Sequence, residues 1–208
     1  MLGKLLRHWQ AAPPVEERWI VLDVETSGLD AAADELIAIG AVAMRADGSI
    51  VPHDSFEVVL RQDRPSSREN IALHGVGAEA QRSGMAPGEA LQSLFDFAGQ
   101  SPVLAFHAPF DRAFVRRAVR AVLQRDFDNP WLDLAALAPA LDPVAAARSL
   151  DEWLAQHGIE HEQRHSAAAD AFVTAQIAAS LVHRARRQGA ATFRDLQRLA
   201  NAVRWIAR

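Results

Sequence analysis

The chain has 208 residues, half of them hydrophobic, and a formal net charge of −4 at neutral pH. It contains no cysteine, which excludes disulfides, thiolate zinc sites and cysteine nucleophiles, so any metal must be held by oxygen or imidazole. The length suffices for the core of one enzyme-sized domain, and no stretch approaches the roughly 18 apolar residues of a membrane span. We therefore expect a soluble cytoplasmic protein with no membrane partner.

The first half of the chain predicts mainly strands. A short helix is predicted over residues 2–9, and residues 1–17 together form a predicted N-terminal extension. Strands follow at Trp19–Val24, Leu36–Met44 and Ser55–Leu60. Because a turn-forming segment separates the second and third strands, the pattern predicts one strand followed by a hairpin.

The second half of the chain alternates strands and helices. Short strands are predicted at Pro102–Phe106 and Trp131–Leu134, with a helix beginning near Pro109 between them. Two further helices are predicted at Ser149–His157 and Ala167–Arg187. After the initial three-strand meander, this alternation predicts a mixed α/β sheet with helices on its faces.

The C-terminal segment 184–208 is strongly basic, with seven arginines and one acid. Such asymmetry is typical of an edge that binds a polyanion. An equally good interpretation is an amphipathic helix whose Leu196, Leu199, Val203 and Ile206 face a core.

Asp23 and Glu25 stand two residues apart at the end of the first predicted strand. Side chains alternate along a strand, so both carboxylates point to the same face, where at about 4 Å and an effective dielectric near 20 they repel by roughly 4 kcal/mol. A hard divalent cation, Mg²⁺ or Mn²⁺, takes oxygen ligands and offsets this repulsion. The pair alone is also typical of a strand end at the surface, so a metal site requires partners elsewhere in the chain.

Two further acids are predicted at the same end of the sheet. Asp111 falls in the first turn of a helix, where the helix dipole also favours an anion, and Asp170 lies among alanines on the long helix. His165 precedes that helix, with Ser166 as the N-cap, where an imidazole can act as a general base towards water. For Asp111 and His165, structural roles at helix entrances are the alternative.

Three segments resemble the motifs of the DnaQ-like DEDDh 3′→5′ exonucleases, a family that includes the proofreading subunit of DNA polymerase III, oligoribonuclease and ribonuclease T. They are VLDVETSGLD at 21–30, FHAPFD at 106–111 and HSAAADAFVTA at 165–175. In the second motif His107 stands where family members often have asparagine. The chain contains no tyrosine, which excludes the sister subgroup that uses a tyrosine base.

The resemblance implies a ribonuclease H-like α/β fold with a mixed five-stranded sheet, antiparallel in its first three strands and flanked by helices. It implies an exonuclease domain over residues 18–185, followed by a basic C-terminal helix over 186–208.

The catalytic residues implied by the resemblance are His165, Asp23, Glu25, Asp111 and Asp170. Two Mg²⁺ or Mn²⁺ ions are expected, one held by Asp23, Glu25 and Asp170 and the other by Asp23 with Asp111. His165 would take the proton from the attacking water.

Substrate-binding residues implied by the resemblance come from three segments. They are Thr26, Ser27, Gly28 and Leu29 after the first strand, His74 in LHGV, and His107 and Phe110 in the second motif. The expected reaction releases nucleoside 5′-monophosphates from single-stranded 3′ ends, with DNA favoured over RNA. The expected partners are that 3′ end and either a polymerase subunit or a second copy in a homodimer.

Three alternatives stay open from the sequence. The chain could be a polymerase-associated interaction subunit, an RNA-processing exoribonuclease, or an unrelated metallophosphoesterase with an accidental motif match. The third is poorly supported, because the eight histidines form no ligand pair on one predicted helix face.

Overall fold

A computed structural model describes residues 18–141, 152–153 and 166–206, with side chains as far as residue 202. The predicted extension 1–17 and His165 lie outside the described residues. So does the predicted helix Ser149–His157, apart from residues 152 and 153.

A five-stranded mixed sheet forms the centre of the fold, with the strand order β3-β2-β1-β4-β5. In chain order its strands are β1 (Arg18–Thr26), β2 (Leu36–Arg45), β3 (Ile50–Val59), β4 (Val103–Ala105) and β5 (Trp131–Asp133). β1, β2 and β3 are antiparallel, whereas β4 and β5 run parallel to β1. The predicted α/β fold, with a mixed sheet antiparallel in its first three strands, is confirmed.

Helices cover the sheet. In chain order they are α1 (Arg68–His74), α2 (Ala78–Ser83), α3 (Pro87–Ala98), α4 (Ala108–Leu123), α5 (Leu134–Leu141), α6 (Ala167–Arg187) and α7 (Phe193–Ile206). The sequence interpretation missed α2, α3 and α5. The helix α5 follows β5 without a break and contains Pro139, and both features obscure its helical period in the sequence.

Alternate residues of β1 face two separate layers of the core. Trp19 and Val21 pack in the cluster that includes α5, α6 and α7, whereas Ile20 and Leu22 pack in the cluster that includes α3 and α4. Because side chains alternate along a strand, residue 23 continues the series that faces α6. The acidic side chains at the end of β1 therefore lie on the side of the sheet that α6 covers.

The basic C-terminal helix α7 packs on the same core. Leu196 is buried, and Leu199 is partly buried against it. Phe193 meets Trp19 edge to face at 5.6 Å. The amphipathic interpretation is thus confirmed for Leu196 and Leu199, while the boundary between 18–185 and 186–208 stays a prediction. No helix among the described residues is long and apolar enough to span a membrane.

Candidate active site

The end of β1 carries Asp23 and Glu25, both partly buried. Asp23 pairs in register with Gly40 of β2, and Glu25 with Ala38. Their spacing of two residues places both side chains on the α6 face, as the alternation of β1 requires.

The first turn of α6 brings Asp170 to this pair. One carboxylate oxygen from each of Asp23, Glu25 and Asp170 lies within 4.8 Å of the other two. The helix begins at Ser166, whose side chain accepts a hydrogen bond from the backbone N–H of Ala169 and donates one to Glu57 of β3 at 3.0 Å. The cap thus fixes the start of α6 on the sheet, and Asp170 follows one turn later.

Asp111 approaches from α4 and binds the free side of β1. Its carboxyl accepts hydrogen bonds from its own backbone N–H and from that of Val24. The three-residue β4 pairs with β1 only at Ile20 and Val21, so the backbone of β1 beyond them needs another partner on that side. Asp111 occupies the position that a longer β4 would fill, which places the fourth acid beside the other three.

Burial, with repulsion from neighbouring carboxylates, raises the pKa values of Asp23, Glu25 and Asp111. The pKa of Glu25 rises from 4.5 to about 8, mainly through burial and secondly through the charge of Asp170. Burial also raises the pKa of Asp23 well above its usual range, and the charges of Asp111, Glu25 and Asp170 add to the effect. The four acids therefore form one electrostatic unit, whose full ionisation requires a compensating positive charge.

A fifth acid, Asp133, belongs to this unit and was missed by the sequence interpretation. It ends β5, where its carboxylate accepts a hydrogen bond from the backbone N–H of Ala135 at 3.1 Å and so caps α5. Its charge, after burial, helps to raise the pKa of Asp111. The sequence did hold a signal: Asp133 lies next to the end of the predicted strand Trp131–Leu134, and the carboxyl ends of parallel strands meet at one edge of a sheet.

The donor set fits a hard divalent cation. The three clustered ligand atoms are all carboxylate oxygens, the donors that Mg²⁺ and Mn²⁺ prefer. The charges that act on the Asp23 carboxyl all have the same sign as its own. A metal ion would supply the missing positive charge and keep all the acids ionised at neutral pH.

The predicted substrate segment forms a loop directly after β1. The Thr26 hydroxyl donates a hydrogen bond to the Gly28 carbonyl at 2.7 Å. The backbone N–H of Ser27 donates one to the backbone carbonyl of Glu35 at 2.9 Å. A Cβ atom on Gly28 would clash with the carboxylate of Asp34, so any larger residue there would displace the Asp34 side chain. Leu29 points away from the core with 87% of its surface exposed, which leaves an apolar contact available for a ligand.

The second motif begins with an unusual backbone conformation. His107 is exposed and adopts the left-handed region, with φ 61° and ψ 44°, at the N-cap of α4. Asparagine and histidine are among the residues enriched in that region, which explains physically how histidine can stand at the asparagine position. Phe110, one turn later, is partly buried and packs on Phe114, with 4.8 Å between the two ring centroids.

His74 is buried at the C-terminus of α1, where both ring nitrogens bind within the protein. Nδ1 accepts a hydrogen bond from the backbone N–H of Val76 at 2.9 Å, so Nε2 carries the proton and donates to Ser66 at 3.1 Å. Gln81 donates to the same hydroxyl at 3.0 Å. These bonds hold residues 66–81 together, and a direct contact between His74 and substrate stays a prediction. The predicted base, His165, lies outside the described residues.

Comparison with known proteins decides the family. The family model of the RNase T type, described as "Exonuclease", matches residues 20–178, a span that includes Asp23, Glu25, Asp111 and Asp170. The chain belongs to the RNase T exonuclease family. The resemblance found in its three motifs is thereby confirmed.

Curated relatives of this exonuclease-family chain are much longer proteins. It is 31% identical over 189 residues to a DNA polymerase III PolC-type protein of Thermotoga petrophila, covering 91% of this chain but 14% of the relative. It is 31% identical over 197 residues to a DNA polymerase III subunit epsilon-like protein of Rhodobacter capsulatus, covering 93% of this chain and 28% of the relative.

Solved structures share the fold. E. coli exonuclease I in complex with a dT13 oligonucleotide superposes with a TM-score of 0.72 at 18% identity, over 83% of this chain and 42% of that one. Exonuclease X in complex with 5′ overhanging duplex DNA gives a TM-score of 0.65 at 21% identity, over 88% and 99%.

Proposed function

We propose that this chain is a metal-dependent 3′→5′ exonuclease that removes nucleoside 5′-monophosphates from the 3′ ends of single-stranded nucleic acid. One observation carries the proposal: acids from β1 and from the distant helix α6 converge within 4.8 Å. Asp111 lies beside them, hydrogen-bonded to the same strand. Family membership supports the same reaction class.

The acids are proposed as metal ligands. Asp23, Glu25 and Asp170 would hold one Mg²⁺ or Mn²⁺, and Asp23 with Asp111 would hold a second. When bound, such ions generate a nucleophilic hydroxide and stabilise the charge that develops on the phosphate. The helices that carry Asp111 and Asp170 both pack against β1, which carries Asp23 and Glu25. The packing therefore holds the four carboxylates in fixed positions relative to one another.

His165 is proposed as the general base that takes the proton from the attacking water. It immediately precedes Ser166 in the sequence, and Ser166 is the N-cap of the helix that carries Asp170. Imidazole titrates near neutral pH and is suited to this role. The terminal nucleoside is proposed to contact the residues after β1 and those at the start of α4, namely Thr26, Ser27, Gly28, Leu29, His107 and Phe110, with His74 supporting the neighbouring loop.

DNA is proposed as the favoured substrate. The relatives carry names of DNA polymerase III proteins, and the fold neighbours were solved with DNA. Association with a polymerase, in trans or within a longer chain, is proposed on the same names. A homodimer and the division into 1–17, 18–185 and 186–208 stay predictions.

Degradation of end-labelled oligonucleotides tests the function. Single-stranded DNA and RNA of equal sequence, labelled at the 5′ end, would be incubated with Mg²⁺, Mn²⁺ or EDTA. We expect a ladder that shortens from the 3′ end, faster on DNA, and that EDTA and Asp170→Ala abolish and His165→Ala strongly slows. Asp128→Asn is the matched control, because Asp128 is exposed and outside the acidic cluster. Activity that survives in Asp170→Ala would contradict the ligand assignment.

A further inference from the structure

Arg117 of α4 forms hydrogen bonds with the loop that follows β1. Its Nη1 donates to the carbonyl oxygen of Ala32 at 3.0 Å, and its Nη2 donates to that of Asp34. Nη2 also lies 3.8 Å from the carboxylate of Glu35. Because the Glu35 side chain is largely exposed, the ion pair adds little, and the two carbonyl contacts carry the attachment.

The loop held in this way, residues 27–35, has a closed internal network. The carboxylate of Asp34 accepts from the backbone N–H of Asp30 at 2.8 Å, and the Ser27 hydroxyl accepts from the backbone N–H of Glu35 at 2.8 Å. The backbone N–H of Asp34 donates to the Asp30 carbonyl at 2.7 Å. Asp34 thus joins the internal network to the carbonyl that Arg117 binds.

The same helix face connects Arg117 to the second motif. Phe110, Phe114 and Arg117 stand at helical spacings of four and three residues, so they form one stripe along α4. The rings of Phe110 and Phe114 lie 4.8 Å apart, and the Arg117 guanidinium lies 6.0 Å from the Phe114 ring. Phe114 is fully buried, so the stripe is anchored in the core.

We infer that Arg117 is a positioning residue, which holds loop 27–35 at a fixed distance from Asp111 and Phe110 and thereby sets the affinity for the terminal nucleoside. The inference rests on the proposed function. A planar guanidinium can donate to two carbonyls at once, which a lysine ammonium does not reproduce with the same geometry. The residue acts through the loop, because its hydrogen bonds go to the carbonyl oxygens of Ala32 and Asp34.

Steady-state kinetics on a single-stranded oligonucleotide tests this inference. Loss of one charged hydrogen-bonding group is expected to raise KM about tenfold in Arg117→Ala, with kcat changed by less than about threefold. Arg117→Lys should fall between wild type and Arg117→Ala. Arg116→Ala is the matched control, because Arg116 is the exposed neighbour on the same helix and should keep both constants. Hydrolysis of bis(p-nitrophenyl) phosphate, which has no nucleoside, should be unchanged in every variant.

Amide hydrogen exchange provides a readout that is independent of nuclease activity. Exchange at residues 33–35 should accelerate in Arg117→Ala and not in Arg116→Ala, without nucleic acid present. An unchanged KM in Arg117→Ala, or unchanged exchange in the loop, would overturn the inference. If wild type degraded no nucleic acid, the proposed function would fail while the exchange result still judged the attachment of the loop.

Discussion

Gly40 of β2 lies directly against the backbone of Ala167, with no room for a Cβ atom between strand and helix. Gly40 is also the register partner of Asp23, and Ala167 stands three residues before Asp170. The absence of one side chain on β2 therefore lets the acid of α6 reach the acid of β1. This contact explains why a glycine stands in the middle of an otherwise apolar strand.

Gly40→Ala should separate the acids. The added methyl group must push α6 away from the sheet, at a cost of about 1–3 kcal/mol in unfolding free energy, and the affinity for Mn²⁺ should fall at least about tenfold. Isothermal titration calorimetry and chemical denaturation measure the two effects. Gly77→Ala is the control, because a Cβ atom there meets nothing within 4 Å. Equal Mn²⁺ affinity in Gly40→Ala and wild type would show that the close approach is unimportant for the site.

Asp23→Asn should have opposite effects with and without metal. In the metal-free protein the substitution removes an acid whose ionisation is opposed by burial and by three neighbouring acids, so the thermal midpoint should rise by a few degrees. With saturating Mn²⁺ the wild type should gain stability by mass action, whereas the variant should gain almost none. Thermal denaturation in EDTA and in Mn²⁺ measures both effects. A lower midpoint for the variant in EDTA would refute the repulsion argument.

The raised pKa of Glu25 predicts how metal-free stability depends on pH. Its folded value of about 8 exceeds the usual 4.5, so the folded state binds the proton more tightly than the unfolded state does. The resulting stabilisation is fully present below pH 4.5 and is lost as the pH rises through 8. The wild type in EDTA should therefore lose stability from pH 4.5 to about 8 relative to Glu25→Gln, as measured by urea denaturation. Saturating Mg²⁺ should reduce this difference, and a constant difference in EDTA would contradict the shift.

Asp133 should act on the site through charge as well as through its cap. Asp133→Asn keeps a good capping side chain but removes a charge that acts on Asp111, so we expect near-wild-type stability and a several-fold weaker Mn²⁺ affinity. Asp133→Ala should show the same loss of affinity and an additional destabilisation of about 1 kcal/mol. Denaturation and metal titration on both variants separate the two roles. Unchanged affinity in Asp133→Asn would restrict the residue to capping.

Much of the site was accessible from residue spacing. The two-residue separation of Asp23 and Glu25, the position of Asp111 in a first turn and the small-residue face around Asp170 each follow from the geometry of a strand or a helix. Asp133 was missed because a single acid at a strand end has no repeating pattern. Arg117 was missed because its partners are backbone carbonyls, which leave no trace in the amino-acid sequence.

The sequence by itself determined the family, the order of the five strands, and the acids with their neighbouring side chains, since these depend on local periodicity and on motifs of adjacent residues. The tertiary structure decided which contacts bring the acids together. Gly40 has no side chain, so the backbone of Ala167 can lie directly against it. The strand β4 ends early, so the carboxylate of Asp111 accepts the hydrogen bond from the backbone N–H of Val24. It also decided the pKa shifts of Asp23, Glu25 and Asp111, because burial and repulsion depend on distances between segments that are far apart in the chain. Such distances are set only when the sheet and helices pack.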